Sequence, residues 1–237
     1  MTEQPIRAKL LANPADVLKT LPQIGKLMIN SKNGGATHER IGVVQNVIID
    51  GNWIFFTGDE HNSKIALNAI HTMIADRSSI MQEKVYPRID LLAEDDEVIG
   101  SVIGFGGAEP FDAALASFAL EELAPKTDSR SMGDQVEVGD SDPALKPFAA
   151  AQRNKGTVRI ALERPTFQQE WTGEMPDIRN SRGFINVMKP DFHLHLKVGH
   201  VMDWRIEEKD GQLHYYALDA DGQSTGLVVS GTKEAFA

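Results

Sequence analysis

The chain has no cysteine, which excludes disulfides, thiolate metal sites, iron–sulfur clusters and a cysteine nucleophile. It also lacks any apolar run near the roughly 20 residues needed to span a bilayer. Met1-Thr2-Glu3-Gln4-Pro5 carries no basic segment leading into an apolar core, so the reading is a cytoplasmic protein with no membrane partner. Basic charge is scarce as well: 24 Lys and Arg against 34 Asp and Glu give a formal net charge of −10. That balance argues against nucleic acid as a partner, because proteins that bind the phosphate backbone draw their affinity from basic surface. Common catalytic signatures are missing too. There is no Gly-x-Ser-x-Gly elbow, no Gly-x-x-x-x-Gly-Lys phosphate loop and no His-Glu-x-x-His helix. Gly104-Phe105-Gly106-Gly107 has the wrong spacing for a dinucleotide fingerprint and reads as a strand-to-helix loop. What remains is an ordinary globular composition, 41% hydrophobic and 24% charged over 237 residues, long enough for a sizeable core in one domain or in two packed halves.

The second half repeats the first. Gly25-Lys26-Leu27-Met28-Ile29 is matched by Gly156-Thr157-Val158-Arg159-Ile160, and the same offset carries His38-Glu39-Arg40-Ile41-Gly42 onto Gln169-Glu170-Trp171-Thr172-Gly173. A slightly shorter offset superposes Lys64-Ile65-Ala66-Leu67 on His193-Leu194-His195-Leu196 and pairs His71 with His200 and Met73 with Met202. Drift of this size is what loop deletions in a duplicated domain leave behind. The expectation is a tandem pseudo-dimer: a first repeat over residues 1–125, a solvated linker over 126–142 and a second repeat over 143–237. A ligand can then sit between two related but inequivalent halves.

Local patterns predict α+β, with an antiparallel sheet and flanking helices in each copy. Asn13-Pro14 before Val17, Leu18 and Leu21 predicts a capped short helix. Lys32-Asn33-Gly34-Gly35 predicts a hairpin turn, and Asp50-Gly51 a second one. Residues 66–75 and 192–204 read as strands, Phe111 to Leu123 as an amphipathic helix, and Pro143 to Gln152 as the helix opening the second copy.

The stretch Ala36-Thr37-His38-Glu39-Arg40-Ile41-Gly42, and the later run of Phe184, Asn186, Pro190, Phe192, Leu194-His195-Leu196 and Trp204, resemble the two repeats of the HemS/ChuS hemin-utilisation family, to which the single-repeat HutX/ChuX-like proteins are also related. The resemblance covers most of residues 15–235. It implies a heme-binding protein that traffics or stores heme, with degradation left open and the ligand held between the repeats. The family's iron-ligating histidine would fall on the helix opening the second repeat, where residues 126–154 contain no histidine. The family's distal arginine falls at Lys64, which keeps the charge but not the forked donor.

Five residues are candidates for holding heme or a similar planar anionic ligand. Lys64 offers a cation for a propionate. His193 and His195 sit two apart and so share one face of a strand. His71 and His200 occupy equivalent places in the two copies. Two other functions stay open: a metal-dependent enzyme using the His-x-His pair with His200, and a structural or regulatory protein that kept the fold without the ligand. Nothing in the sequence decides whether the protein is an enzyme or whether it forms a homodimer.

Overall fold

Short strands separated by tight turns make up most of the computed structural model, which describes residues 4–125, 139 and 141–237. β1 (Arg7–Leu10) precedes α1 (Pro14–Leu18). The start of α1 is fixed by Asn13, whose Oδ1 accepts the Ala15 N–H at 2.9 Å, with Pro14 in the first turn. β2 (Lys26–Asn33) and β3 (Ala36–Val43) are joined by Gly34 and Gly35. These two glycines take φ of +50° and +78°, as a two-residue hairpin of primed type requires. β4 (Asn46–Asp50), β5 (Trp53–Thr57) and β6 (Asn62–Ala66) form an antiparallel meander. They are followed by β7 (Thr72–Asp76), the small finger β8 (Ile80–Met81) and β9 (Lys84–Val85), then β10 (Arg88–Leu92) and β11 (Val98–Gly104). α2 (Ala108–Leu115) and β12 (Leu120–Glu122) complete this half.

In the second half a 3-10 turn, Pro143–Leu145, runs into α3 (Lys146–Arg153). The strands that follow are β13 (Thr157–Glu163), β14 (Phe167–Glu174), β15 (Ile178–Ser181), β16 (Phe184–Lys189), β17 (Phe192–Lys197), β18 (Asp203–Lys209), β19 (Gln212–Leu218) and β20 (Ser224–Thr232). The order α1, β2 to β7, β10 and β11 thus recurs as α3 and β13 to β20. The class is α+β, and β1 with β7, β7 with β10, β13 with β14, β3 with β17 and β19 with β20 all pair antiparallel.

The chain divides into two units, Met1–Asn30 with Ile41–Arg130 and Ser31–Arg40 with Ser131–Ala237. The tip of the β2–β3 hairpin therefore groups with the second. Of the expected linker, only Gly139, Ser141 and Asp142 fall among the described residues. In the first unit β12, β1, β7, β10, β11 and β2 neighbour one another in that order, and β6, β5 and β4 form a second set. Leu18, Leu27, Ile54, Ile89, Val102 and Phe111 are buried there. In the second unit β3, β17, β16 and β15 are neighbours, as are β18, β19, β20, β13 and β14. Phe148, Ile160, Trp171, Phe192, Leu194 and Val229 belong to its core. Among the described residues no helix is long and apolar enough to cross a membrane.

Three expectations need correction. Phe111 to Leu123 is not one helix: α2 ends at Leu115, and β12 pairs with β1. The edge of β1 claims the backbone, with the Leu11 N–H donating to the Ala119 oxygen and the Leu123 N–H to the Arg7 oxygen, both at 2.9 Å. Hydrogen bonding of an open edge outweighs a short helical period here. Neither 192–204 nor 66–75 is one strand: β17 ends at Lys197 and β18 begins at Asp203, and a 3-10 turn at Leu67–Ala69 separates β6 from β7. Asn52 fixes that break, its side chain accepting the Asn68 N–H at 3.1 Å and donating to Asn68 Oδ1 at 2.7 Å. The second hairpin turns at Gly51 and Asn52, and Asp50 pairs with Trp53.

Candidate functional site

β17 shows how the sequence builds the site. Phe192, Leu194 and Leu196 are buried while His193 and His195 are half-buried, so the two-residue period sends both imidazoles to the outer face. The neighbouring strands follow the same rule. β3 buries His38 and Arg40 and leaves Thr37 and Glu39 outside; β16 buries Ile185 and Val187 and leaves Asn186 outside. Register completes the cluster, with Glu39 opposite His193 and Asn186 opposite His195.

Glu39 is the hub. His193 Nδ1 lies 3.2 Å from Glu39 Oε2, and His195 Nε2 lies 3.7 Å from the same oxygen. Burial pushes the Glu39 carboxyl up, but hydrogen bonding and charge from His193 and His195 more than offset that and hold its pKa at about 2. His195 Nδ1 is 2.6 Å from Asn186 Oδ1. The Asn186 amide is oriented by its own Nδ2, which donates to the Arg179 and Phe184 carbonyls at 2.9 and 3.1 Å. Its oxygen must therefore accept, and His195 Nδ1 must carry the proton.

The inner face beneath is different in kind. His38 is fully buried, with Nε2 3.1 Å from the Ile160 oxygen and Nδ1 3.0 Å from the Gln169 side chain. A backbone carbonyl can only accept, so Nε2 donates to the Ile160 oxygen, while Nδ1 faces Gln169 Oε1. Burial pushes the imidazole pKa down to about 4, so at neutral pH it is uncharged and structural. His38 and Gln169, which the internal repeat equates, are bonded to each other. Phe192 tilts against His38 and stacks on Trp171 at 4.7 Å and 7°. Trp171 donates to Asp191, which also pairs with the buried Arg40 at 3.4 Å.

The five sequence candidates separate. His193 and His195 come together on Glu39. His200 is exposed in the turn after β17, its ring beside Gly35, and is not part of that cluster. In the first unit His71 is exposed just before β7, its backbone N–H bonded to the Leu92 oxygen at 2.8 Å. Lys64 lies on β6 with Nζ 5.0 Å from the Trp53 ring centre and 5.9 Å from that of Phe55. The paired methionines are inequivalent, Met73 being 2% and Met202 47% exposed.

A groove of about 430 Å³ lies over β1, β7 and β10 of the first unit, with Arg7, Lys9, Asp90 and Asp96 among its polar walls. Next to it Asp76 is anchored by Ser78 and by Arg88 at 3.0 Å, and Arg88 also reaches Asp90 at 3.1 Å. The groove walls contain cations for a carboxylate but no imidazole, thioether or phenol for a metal. Sequence reading missed two positions of the cluster, Glu39 as the partner of the histidine pair and Asn186 as the group that sets a tautomer. The Glu39 signal was present in its adjacency to His38, but the partner strand is far away in the chain.

Fold and site together define an antiparallel α+β chain of two units that carries an imidazole–carboxylate cluster on one sheet face. No family model matches the chain, and no curated protein matches it by sequence. The fold is shared with solved structures of heme-handling proteins. One is ChuS, described as a heme oxygenase of E. coli, with a TM-score of 0.75 and 14% identity over 96% of this chain and 84% of that one. A second is the holo form of PhuS, described as a heme-binding protein from Pseudomonas aeruginosa, with a TM-score of 0.75 and 15% identity over 96% and 82%. ChuS from E. coli O157:H7, described as a heme-degrading enzyme, gives 0.76 and 13% over 96% and 81%.

Proposed function

We propose that this protein binds heme in the cytoplasm and carries or stores it. The observation that carries the reading is the likeness in fold, over nearly the whole chain, to structures described as heme-binding and heme-degrading. Each unit carries candidate donors for such a ligand. His71 and His200 present exposed imidazoles, the neutral nitrogen donors that heme iron takes. Lys64, Arg7 and Lys9 supply cations of the kind that pair with propionates. His193 and His195 are less suited to an axial role, since both already face Glu39 at 3.2 and 3.7 Å.

Carriage is favoured over turnover. When bound, heme supplies the iron chemistry, and an oxidative role also requires an electron donor for which no residue here argues. The protein's own part is to bind the iron and the propionates.

Titration of the purified protein with hemin, followed at the Soret band, tests the reading. A saturable one-to-one transition is expected, lost on His71→Ala or His200→Ala and weakened by Lys64→Ala. Spectra that never saturate and ignore all of these substitutions, including His193→Ala and His195→Ala, would refute it.

A further inference from the structure

We propose that Glu39, His193 and His195 form a binding site for a divalent first-row transition ion, distinct from the heme reading and independent of it. One ligand atom from each of the three residues lies within 4.8 Å of the others. Bonds of about 2.1 Å in tetrahedral geometry set ligand atoms about 3.4 Å apart. The two distances at Glu39 Oε2, 3.2 Å to His193 Nδ1 and 3.7 Å to His195 Nε2, fall on either side of that value.

Asn186 supplies the second, independent observation. With its amide locked by the Arg179 and Phe184 carbonyls, it forces the proton of His195 onto Nδ1. The lone pair of the neutral ring is then on Nε2, aimed at a carboxylate oxygen 3.7 Å away. A proton in this gap gives the hydrogen bond that lowers the Glu39 carboxyl pKa, and a metal ion bound there would take its place. An oxygen acceptor behind a ligating histidine is the arrangement that orients imidazoles in metal sites.

The chemistry of the set selects the ion. Two imidazoles and one carboxylate suit zinc(II) or iron(II) and leave positions open for water or substrate, whereas magnesium and calcium favour all-oxygen shells. The side chains of His193 and His195 are 25% and 31% exposed and that of Glu39 12%, so an ion can enter from solvent while the carboxylate stays shielded. The repeat does not reproduce the site, because Ala66 stands where the second copy has His195.

The test is zinc binding to the heme-free, chelator-treated full chain. It is read by metal content after gel filtration and, with cobalt(II) as a spectroscopic probe, by d–d absorption. One equivalent is expected, with affinity falling at least about 100-fold in Glu39→Gln, His193→Gln and His195→Gln and about 10- to 100-fold in Asn186→Leu. His200→Ala and, on β19, His214→Ala should bind as the parent does. Glutamine variants keep volume and polarity, and circular dichroism confirms that each is folded. Absence of stoichiometric zinc, binding indifferent to Glu39→Gln, loss through His200→Ala, or magnesium competing equally with zinc would each overturn the proposal. None of these readouts involves hemin, so failure here leaves the heme reading untouched.

Discussion

Lowering the pH from 7 should destabilise the protein through one buried ring, that of His38. The imidazole has its ordinary pKa of 6.5 in the unfolded chain and about 4 in the folded protein, burial being the main cause. Between those values the unfolded chain takes up a proton that the folded protein refuses. Stability is therefore full above pH 6.5 and declines as the pH falls, with the loss complete near pH 4. The difference between the two pKa values corresponds to about 3 kcal/mol. His38→Gln isolates the effect, because the repeat already places glutamine at the equivalent position, Gln169, and an amide can bond to both the Ile160 oxygen and Gln169 without titrating. Urea unfolding from pH 7.5 to 4.5 is the assay. This range avoids most of the loss from Glu39, whose lowered pKa gives stability that disappears only between pH 4.5 and about 2. The wild type should lose most of about 3 kcal/mol over the range, and His38→Gln should lose distinctly less. Parallel losses in the two proteins would refute the assignment.

Phe192→Ala should cost about 3–5 kcal/mol in chemical denaturation, since the ring is fully buried between Trp171 and His38. A loss under 1 kcal/mol would mean that this stack is not part of the core. Gly35→Ala should lower the thermal midpoint, because a residue with φ of +78° would also drive a Cβ against Cβ and Cγ of His200, both 2.4 Å away; adding His200→Gly should restore part of the loss by removing the clash but not the strain.

Features governed by neighbours in the chain were legible in the sequence. Asn13-Pro14 marks the start of α1 and Gly34-Gly35 the first hairpin, because capping and positive φ are local demands. The shared face of His193 and His195 follows from strand period alone. Elements set by distant pairing were not legible. β12 exists because β1 has an open edge to fill, and a helical period in the same residues misleads. Glu39 meets His193 through register between strands that lie 154 residues apart, and no local pattern encodes that. His200 was grouped with the histidine pair by spacing, whereas the turn after β17 carries it to Gly35.

The central claim is that this fold still binds heme, and the most direct measurement is a hemin titration of the wild-type protein with and without one equivalent of zinc. The account predicts a saturable one-to-one Soret transition that is the same in both samples, because the iron ligands it proposes, His71 and His200, are not part of the Glu39 cluster. A linear, unsaturating absorbance in both samples would contradict it.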